Sequence, residues 1–162
     1  MPGYDVTKID LVVDKSPERV AHGRALVINL CKLCHMNAET MALTGQQMLD
    51  MPPEFGTAYS KNITNSKEHG IAKWTDGEIV WLLRTGIHPH TGKYIPPWMP
   101  KFVHMSDYDL HSIVAFLRSD DQLVAPSDRV NTEGDPSFFA KALVVAVFKP
   151  FDYPKQPIPH PF

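Results

Sequence analysis

Cysteine is almost missing from this sequence: its 162 residues include two, and both fall inside one short stretch, Leu30 to Asn37, "LCKLCHMN". Long apolar runs are missing too. No segment reaches the ~20 apolar residues that a bilayer span requires. The longest, residues 138–148 ("FFAKALVVAVF"), is broken by Lys141 and reads as a packed helix. The first ten residues, "MPGYDVTKID", carry no apolar signal region. Charge of one sign is scarce as well, with a net charge of −2, so overall electrostatics give no reason to expect a nucleic-acid partner. No internal repeat, no β-hairpin signal, no nucleophile paired with a base and no carboxylate cluster with metal spacing is present. What remains is a chain of about one domain, 43% hydrophobic, enough for a single core.

The charge that is present is uneven. Residues 57–105 carry +3 and the flanking parts −5. This fits either ordinary surface lysines or a weakly positive rim on which a partner docks.

Helical patterns dominate. Ser16 as N-cap, Pro17 at the first helical position and Glu18 in the first turn open a helix that runs into the cysteine motif. Val20, Gly23, Val27 and Leu30 form its apolar face, and Gly23 there allows a second helix to approach closely. Thr75 and Glu78 make a capping box for a helix that buries Ile79, Leu82 and Leu83 and stops at Gly86. Ser106 caps another, with Leu110, Ile113, Val114 and Leu117 as its stripe. A last helix is expected from Asp135 as cap and Pro136 at N1 to about Phe148, followed by a proline-spaced extended tail. Residues 36–73 show no periodicity. So long a loop makes sense if it wraps a large body that is not protein. The fold class is all-α, with short helices and long loops.

Three chemistries use Cys31, Cys34 and the adjacent His35. A dithiol redox pair belongs at a helix N-terminus after a strand, whereas this pair ends a helix. A zinc site needs a second ligand pair, which only scattered histidines could supply. Covalent haem attachment uses every residue: the two thiols add across the vinyl groups as thioethers, and the imidazole of His35 ligates the iron. With both cysteines consumed by one motif and none left over, haem c is the reading. For the opposite face of the iron, "YIPPWMPKF" singles out Met99, held among Pro96, Pro97 and Pro100. Met105, His88, His90 and His104 are the alternatives, and an ordinary core role for Met99 is the plain one.

The order of an N-terminal helix with Gly23 ending in "CKLCH", an intervening loop, a methionine loop with Met99 and a helix ending "IVAFLRS" resembles the class I cytochrome c family. That resemblance implies thioethers at Cys31 and Cys34, axial ligands His35 and Met99, and a helix crossing at Gly23 and Phe116. Residues 16–120 are similar, through "NIT…GIAKWTDGEIVWLLRTG" and "IPPWMP…MSDYDLHSIVAFLRS", to haem domains of bacterial cytochrome subunits that serve membrane-bound alcohol and sugar dehydrogenases. There Asn62 and Trp74 would lie near the haem. Such subunits have several haems, whereas this chain has one attachment motif.

The expectation is a single-haem electron carrier, not an enzyme, working between redox proteins such as a membrane dehydrogenase, a respiratory complex or a terminal oxidase, without nucleic acid. The rival readings are a haem enzyme or gas sensor with an open sixth position, and a structural haem subunit of a respiratory complex. The resemblance also implies a periplasmic location or the outer face of the cytoplasmic membrane. Met1 is then either an artificial start or the mark of a removed leader or anchor. The expected organisation is 1–15 as an N-terminal extension or trimmed anchor region, 16–120 as the cytochrome domain, and 121–162 as a helical, proline-rich extension, either a strap across the core or a docking element.

Overall fold

A computed structural model describes residues 3–160. Five α-helices carry the architecture: α1 (Pro17–Leu30), α2 (Lys32–His35), α3 (Asp76–Thr85), α4 (Asp107–Leu117) and α5 (Phe138–Val147). Two short 3₁₀ turns, Pro53–Phe55 and Gln122–Val124, punctuate the loops. The described residues hold isolated β-bridges but no named strand.

Helix α1 starts at Pro17, as its fixed φ favours, but Ser16 does not cap it by side chain. Asp14 holds the residue instead, its carboxylate accepting from both the Ser16 N–H and the Ser16 hydroxyl at 3.0 Å, so the side chain points away from the helix N–H groups. The helix also does not run unbroken into the motif. Cys31 departs to φ −114°, and α2 is a single further turn ending at His35.

The core is the crossing of α1 and α4. At Gly23 a Cβ would lie 1.8 Å from the carbonyl oxygen of Ser112 and 3.0 Å from Phe116 Cβ. Backbone therefore touches backbone, and only a residue without a side chain fits. Val27, Leu110, Ile113, Val114 and Phe116 are sealed around this point. The expected Gly23–Phe116 meeting is present.

Helix α3 has its full capping box: Thr75 Oγ1 accepts from Glu78 N–H at 3.1 Å, and Glu78 Oε2 accepts from Thr75 N–H at 2.7 Å. Gly86 closes it at φ 76°, the left-handed stop. Ile79 and Leu83 are buried as expected, together with Val80, Trp81 and Arg84; Leu82 is half-buried.

Ser106 caps α4 by accepting from Asp109 N–H at 3.0 Å. Helix α5 differs from expectation by two residues. Its cap is Ser137, whose Oγ accepts from Ala140 N–H at 3.1 Å. Asp135 and Pro136 lie before it because Pro136 pairs with Gly56 and the Asp135 carbonyl accepts from Thr57 N–H. Nor is α5 a packed core helix. It buries Ala140 and Val144, while Phe138 is 87% exposed.

Both flanks of the helical core are tied down. Val13 N–H donates to buried Asp76 Oδ2 at 3.0 Å, and Arg118 Nε donates to Asp76 Oδ1 at 3.1 Å. Residues 123–124 bond the long loop through Leu43 N–H to the Leu123 carbonyl and Asn65 N–H to the Val124 carbonyl. Farther on, Phe151 N–H donates to the Thr85 carbonyl, Tyr153 stacks on Trp81 with ring centroids 5.7 Å apart, and Ile158 pairs with Asp107. Residues 121–160 thus strap across the core, one of the two roles expected of them.

Candidate functional site

A cavity of about 540 Å³ opens between the end of α1, the long loop, α3 and the Met99 loop. Cys31, Cys34, His35 and Met99 all line it. The four residues singled out from the sequence therefore meet in one place, although Met99 is 64 positions from His35 in the chain. Asn62 and Trp74 line it too, and so do His88, His69 and Met48. Met105, His90 and His104 do not.

The end of α1 explains the placement of the thiols. Val27 anchors the last full turn in the core, and the Val27 carbonyl accepts from Cys31 N–H at 2.9 Å. Cys31 is buried and Cys34 half-buried, with no disulfide between them. Burial, with Cys34 adding to it, pushes the Cys31 thiol up to about 12, and burial raises Cys34 as well. A redox dithiol requires the opposite shift, so these are poor thiolates. The described residues gather no third donor around them; the one cluster of three metal-ligand side chains lies elsewhere.

His35 is fixed by its far nitrogen. Nδ1 lies 2.8 Å from the carbonyl oxygen of Lys61, which can only accept, so Nδ1 carries the proton and Nε2 keeps its lone pair. Burial lowers its pKa, the hydrogen bond to Lys61 opposing, and the neutral imidazole results. A metal-ligating histidine needs this arrangement: neutral, with its outer nitrogen held by a carbonyl.

The Met99 loop is pinned from α3 and from within. Ile95 N–H donates to the Gly86 carbonyl at 2.7 Å, and Phe102 N–H to the Leu83 carbonyl at 2.8 Å. Met99 N–H closes a turn on the Pro96 carbonyl, 3.2 Å away. Lys101 Nζ reaches back to the carbonyls of Ile95 and Pro96 at 3.2 and 2.6 Å and lies 4.8 Å from the Tyr94 ring centre. Burial brings its pKa down to about 8.

Beneath the loop is Arg84, 1% exposed, whose Nη1 donates to the carbonyls of Phe102, Val103 and Met105 and whose Nη2 meets Asp107 at 2.7 Å. Sequence reasoning missed Arg84 and Lys101. A charged residue inside the apolar run "VWLLRTG" was the available signal for the first.

Trp74 stands edge-on to His88 and His90, at centroid distances of 5.0 and 5.1 Å. Arg118 donates to its carbonyl and to that of Ile71. Burial lowers His88, with neighbouring His90 adding to the effect. Asn62 is buried and accepts from Thr64, while its amide donates to the Arg129 carbonyl at 3.2 Å. The outer wall comes from the strap: Asn131, Glu133, Gly134 and Pro136. That contribution was not expected, because the strap carries no motif.

The donor set fits a haem c. Two adjacent thiols stand at one edge, a neutral imidazole nitrogen is left without a protein partner among the described residues, and a thioether sits on a braced loop. The surroundings are apolar, and even Leu30, 39% exposed, faces this space rather than protein.

Comparison with known proteins agrees. Over 91 residues the chain is 37% identical to the cytochrome c subunit of the quinone alcohol dehydrogenase of Gluconobacter oxydans, covering 53% of this chain and 18% of that one. It is 33% identical over 115 residues to the fructose dehydrogenase cytochrome subunit of Gluconobacter japonicus, covering 68% and 23%. To a diheme cytochrome c-type protein of Cereibacter sphaeroides it is 28% identical over 126 residues, covering 74% and 40%. The chain thus spans less than half the length of each of these relatives. No protein-family model matches it. The resemblance read from the sequence holds, and so does the all-α class.

Proposed function

From this kinship with cytochrome c subunits of bacterial dehydrogenases, we propose that the chain carries one electron at a time between redox proteins, using a single haem c. Cys31 and Cys34 would hold it through two thioethers, each formed by S–H addition across one vinyl double bond, sulfur to one carbon and hydrogen to the other, with nothing lost. The bound group supplies reversible one-electron exchange at iron. The protein does the rest. His35 would offer Nε2 to the iron while the Lys61 carbonyl holds its Nδ1–H. Met99, on the same cavity, would hold the iron through its thioether, and a thioether ligand would set a higher potential than a second imidazole. The bracing of its loop by Lys101, Arg84 and α3 limits rearrangement when the charge at iron changes. Leu30, Ile71 and Phe102 line the space and exclude water.

The haem-binding part is residues 16–120, flanked by 1–15 and by 121–162, the latter lending a wall of the cavity. The partner we favour is a membrane-bound dehydrogenase, with a respiratory complex or terminal oxidase as acceptor, in the periplasm or on the outer face of the cytoplasmic membrane. No helix among the described residues is long and apolar enough to cross a membrane.

One observation carries the proposal: Cys31, Cys34, His35 and Met99 line the same apolar cavity. Absorption spectra of oxidised and reduced protein, with and without carbon monoxide, test it. The wild type should be low-spin and indifferent to carbon monoxide, and Met99→Ala should bind it. Ready binding by the wild type would show an open sixth position and favour an enzyme or gas sensor instead.

A further inference from the structure

Away from the cavity, three potential metal ligands from three distant parts of the chain converge: His22 on α1, Asp109 on α4 and His160 in the strap. Their ligand atoms all lie within 4.8 Å of one another. His22 Nε2 is 2.6 Å from Asp109 Oδ1, and His160 Nε2 is 3.5 Å from the same oxygen. We propose that His22, Asp109 and His160 form a binding site for a divalent transition cation of the Zn²⁺ type, which clasps the strap onto the α1–α4 crossing.

The placement is built. Residue 22 precedes Gly23, the point of closest helix approach, so α1 and α4 are held in register beside the site. Asp109 Oδ2 is occupied by the Ser106 hydroxyl at 2.7 Å, which orients the carboxylate and leaves Oδ1 facing the histidines. His160 is delivered by a two-way bond two residues earlier: Asp107 N–H donates to the Ile158 carbonyl at 2.9 Å, and Ile158 N–H to Asp107 Oδ2 at 3.1 Å. The Tyr108 ring packs against both imidazoles, at centroid distances of 5.2 Å to His22 and 5.1 Å to His160. All three ligands are partly exposed, with side-chain exposures of 36, 21 and 33%, so an ion has an entry path.

The donor set selects the ion. Two imidazole nitrogens and one carboxylate oxygen suit Zn²⁺ and its neighbours, whereas Ca²⁺ and Mg²⁺ want an oxygen shell. Ligand atoms around a tetrahedral Zn²⁺ stand about 3.3 Å apart, given bonds of roughly 2.0–2.1 Å. The 3.5 Å edge is already there. The 2.6 Å edge is a hydrogen bond; binding through His22 Nε2 needs the neutral ring with its proton on Nδ1, and opens that edge by a fraction of an ångström. Water takes the fourth position. None of the three residues lines the cavity. Along α1 the site lies about 12 Å from Leu30, eight residues at ~1.5 Å each. The inference therefore does not depend on the haem.

The test is calorimetric titration of Zn²⁺ into the full-length, haem-loaded protein, with Co²⁺ absorption reporting coordination and tryptic cleavage in residues 149–160 reporting the clasp. One ion per chain, at least tenfold weaker binding in both His22→Gln and His160→Gln, unchanged binding in His90→Gln, and slower cleavage with Zn²⁺ are expected. His90 serves as the control because it forms an exposed pair with Glu78 outside this cluster. Stoichiometry below one, or affinity unchanged in His22→Gln and His160→Gln while their far-ultraviolet circular dichroism matches wild type, overturns the proposal. Should either variant misfold, Asp109→Asn, which keeps the volume and the Ser106 bond, decides it by the same criterion.

Discussion

At the scale of single residues, the strongest constraint is Arg84. A guanidinium shut away from water is tolerable only when its donors are matched, and here one nitrogen serves three carbonyls while the other meets a carboxylate. Arg84→Ala leaves those acceptors without it and should cost about 3–5 kcal/mol, read as a lower midpoint of denaturant unfolding. Arg84→Lys, with fewer donors and no fork, should recover only part of it.

His111 makes a pH-dependent contribution. Burial, its largest influence, lowers its pKa in the folded state, so below about 6.5 the unfolded chain takes up a proton that the folded chain refuses. Stability from this group is therefore present above that range and falls as the pH drops through it. Unfolding midpoints at pH 5 and pH 7.5 should differ less in His111→Asn than in wild type.

At the scale of elements, the legible parts were those whose physics is local. The capping box at Thr75 and the Ser106 cap follow from residues three apart, the stop at Gly86 from the left-handed turn that glycine adopts freely, and all three stand as expected. Ser16 departs from the capping pattern because the Asp14 carboxylate, which lies outside the helix, holds its N–H and hydroxyl. Helix α5 was misplaced by two residues because Asp135 and Pro136 are engaged by the loop at residues 55–57, a contact about 80 positions away that no local pattern encodes. The cavity was half legible. Its inner wall carries the motif, while its braces, Arg84 and Lys101, act through carbonyls that sequence does not reveal.

Gly23 is the element-scale prediction. Ala is the better helix former by ~1 kcal/mol, yet its methyl would meet the Ser112 carbonyl at 1.8 Å. Gly23→Ala should therefore lower the melting temperature, against the helix propensity.

At the scale of the whole molecule, the strap makes the chain more than a helical core with a tail. It bonds to the long loop, to α3 and to α4, and its Tyr153 stacks almost parallel to Trp81, with 15° between the planes. Tyr153→Ala should cost about 0.5–1.5 kcal/mol beyond the lost burial and open residues 149–160 to protease, while leaving helical circular dichroism nearly intact.

The strap's share of the cavity wall also gives assembly a direction in time. Cys31 and Cys34 precede Asn131, Glu133, Gly134 and Pro136 by about a hundred positions. The thiols are therefore made well before the residues that close the cavity opposite them, and before α4, on which α1 packs. If the haem proposed above is bound, so large and flat a guest would reach the thiols most freely while the strap still stands away from them. On the reading proposed above, the last quarter of the chain would be a door hung after the room is furnished, and a guest that arrived late would have to wait for that door to swing open.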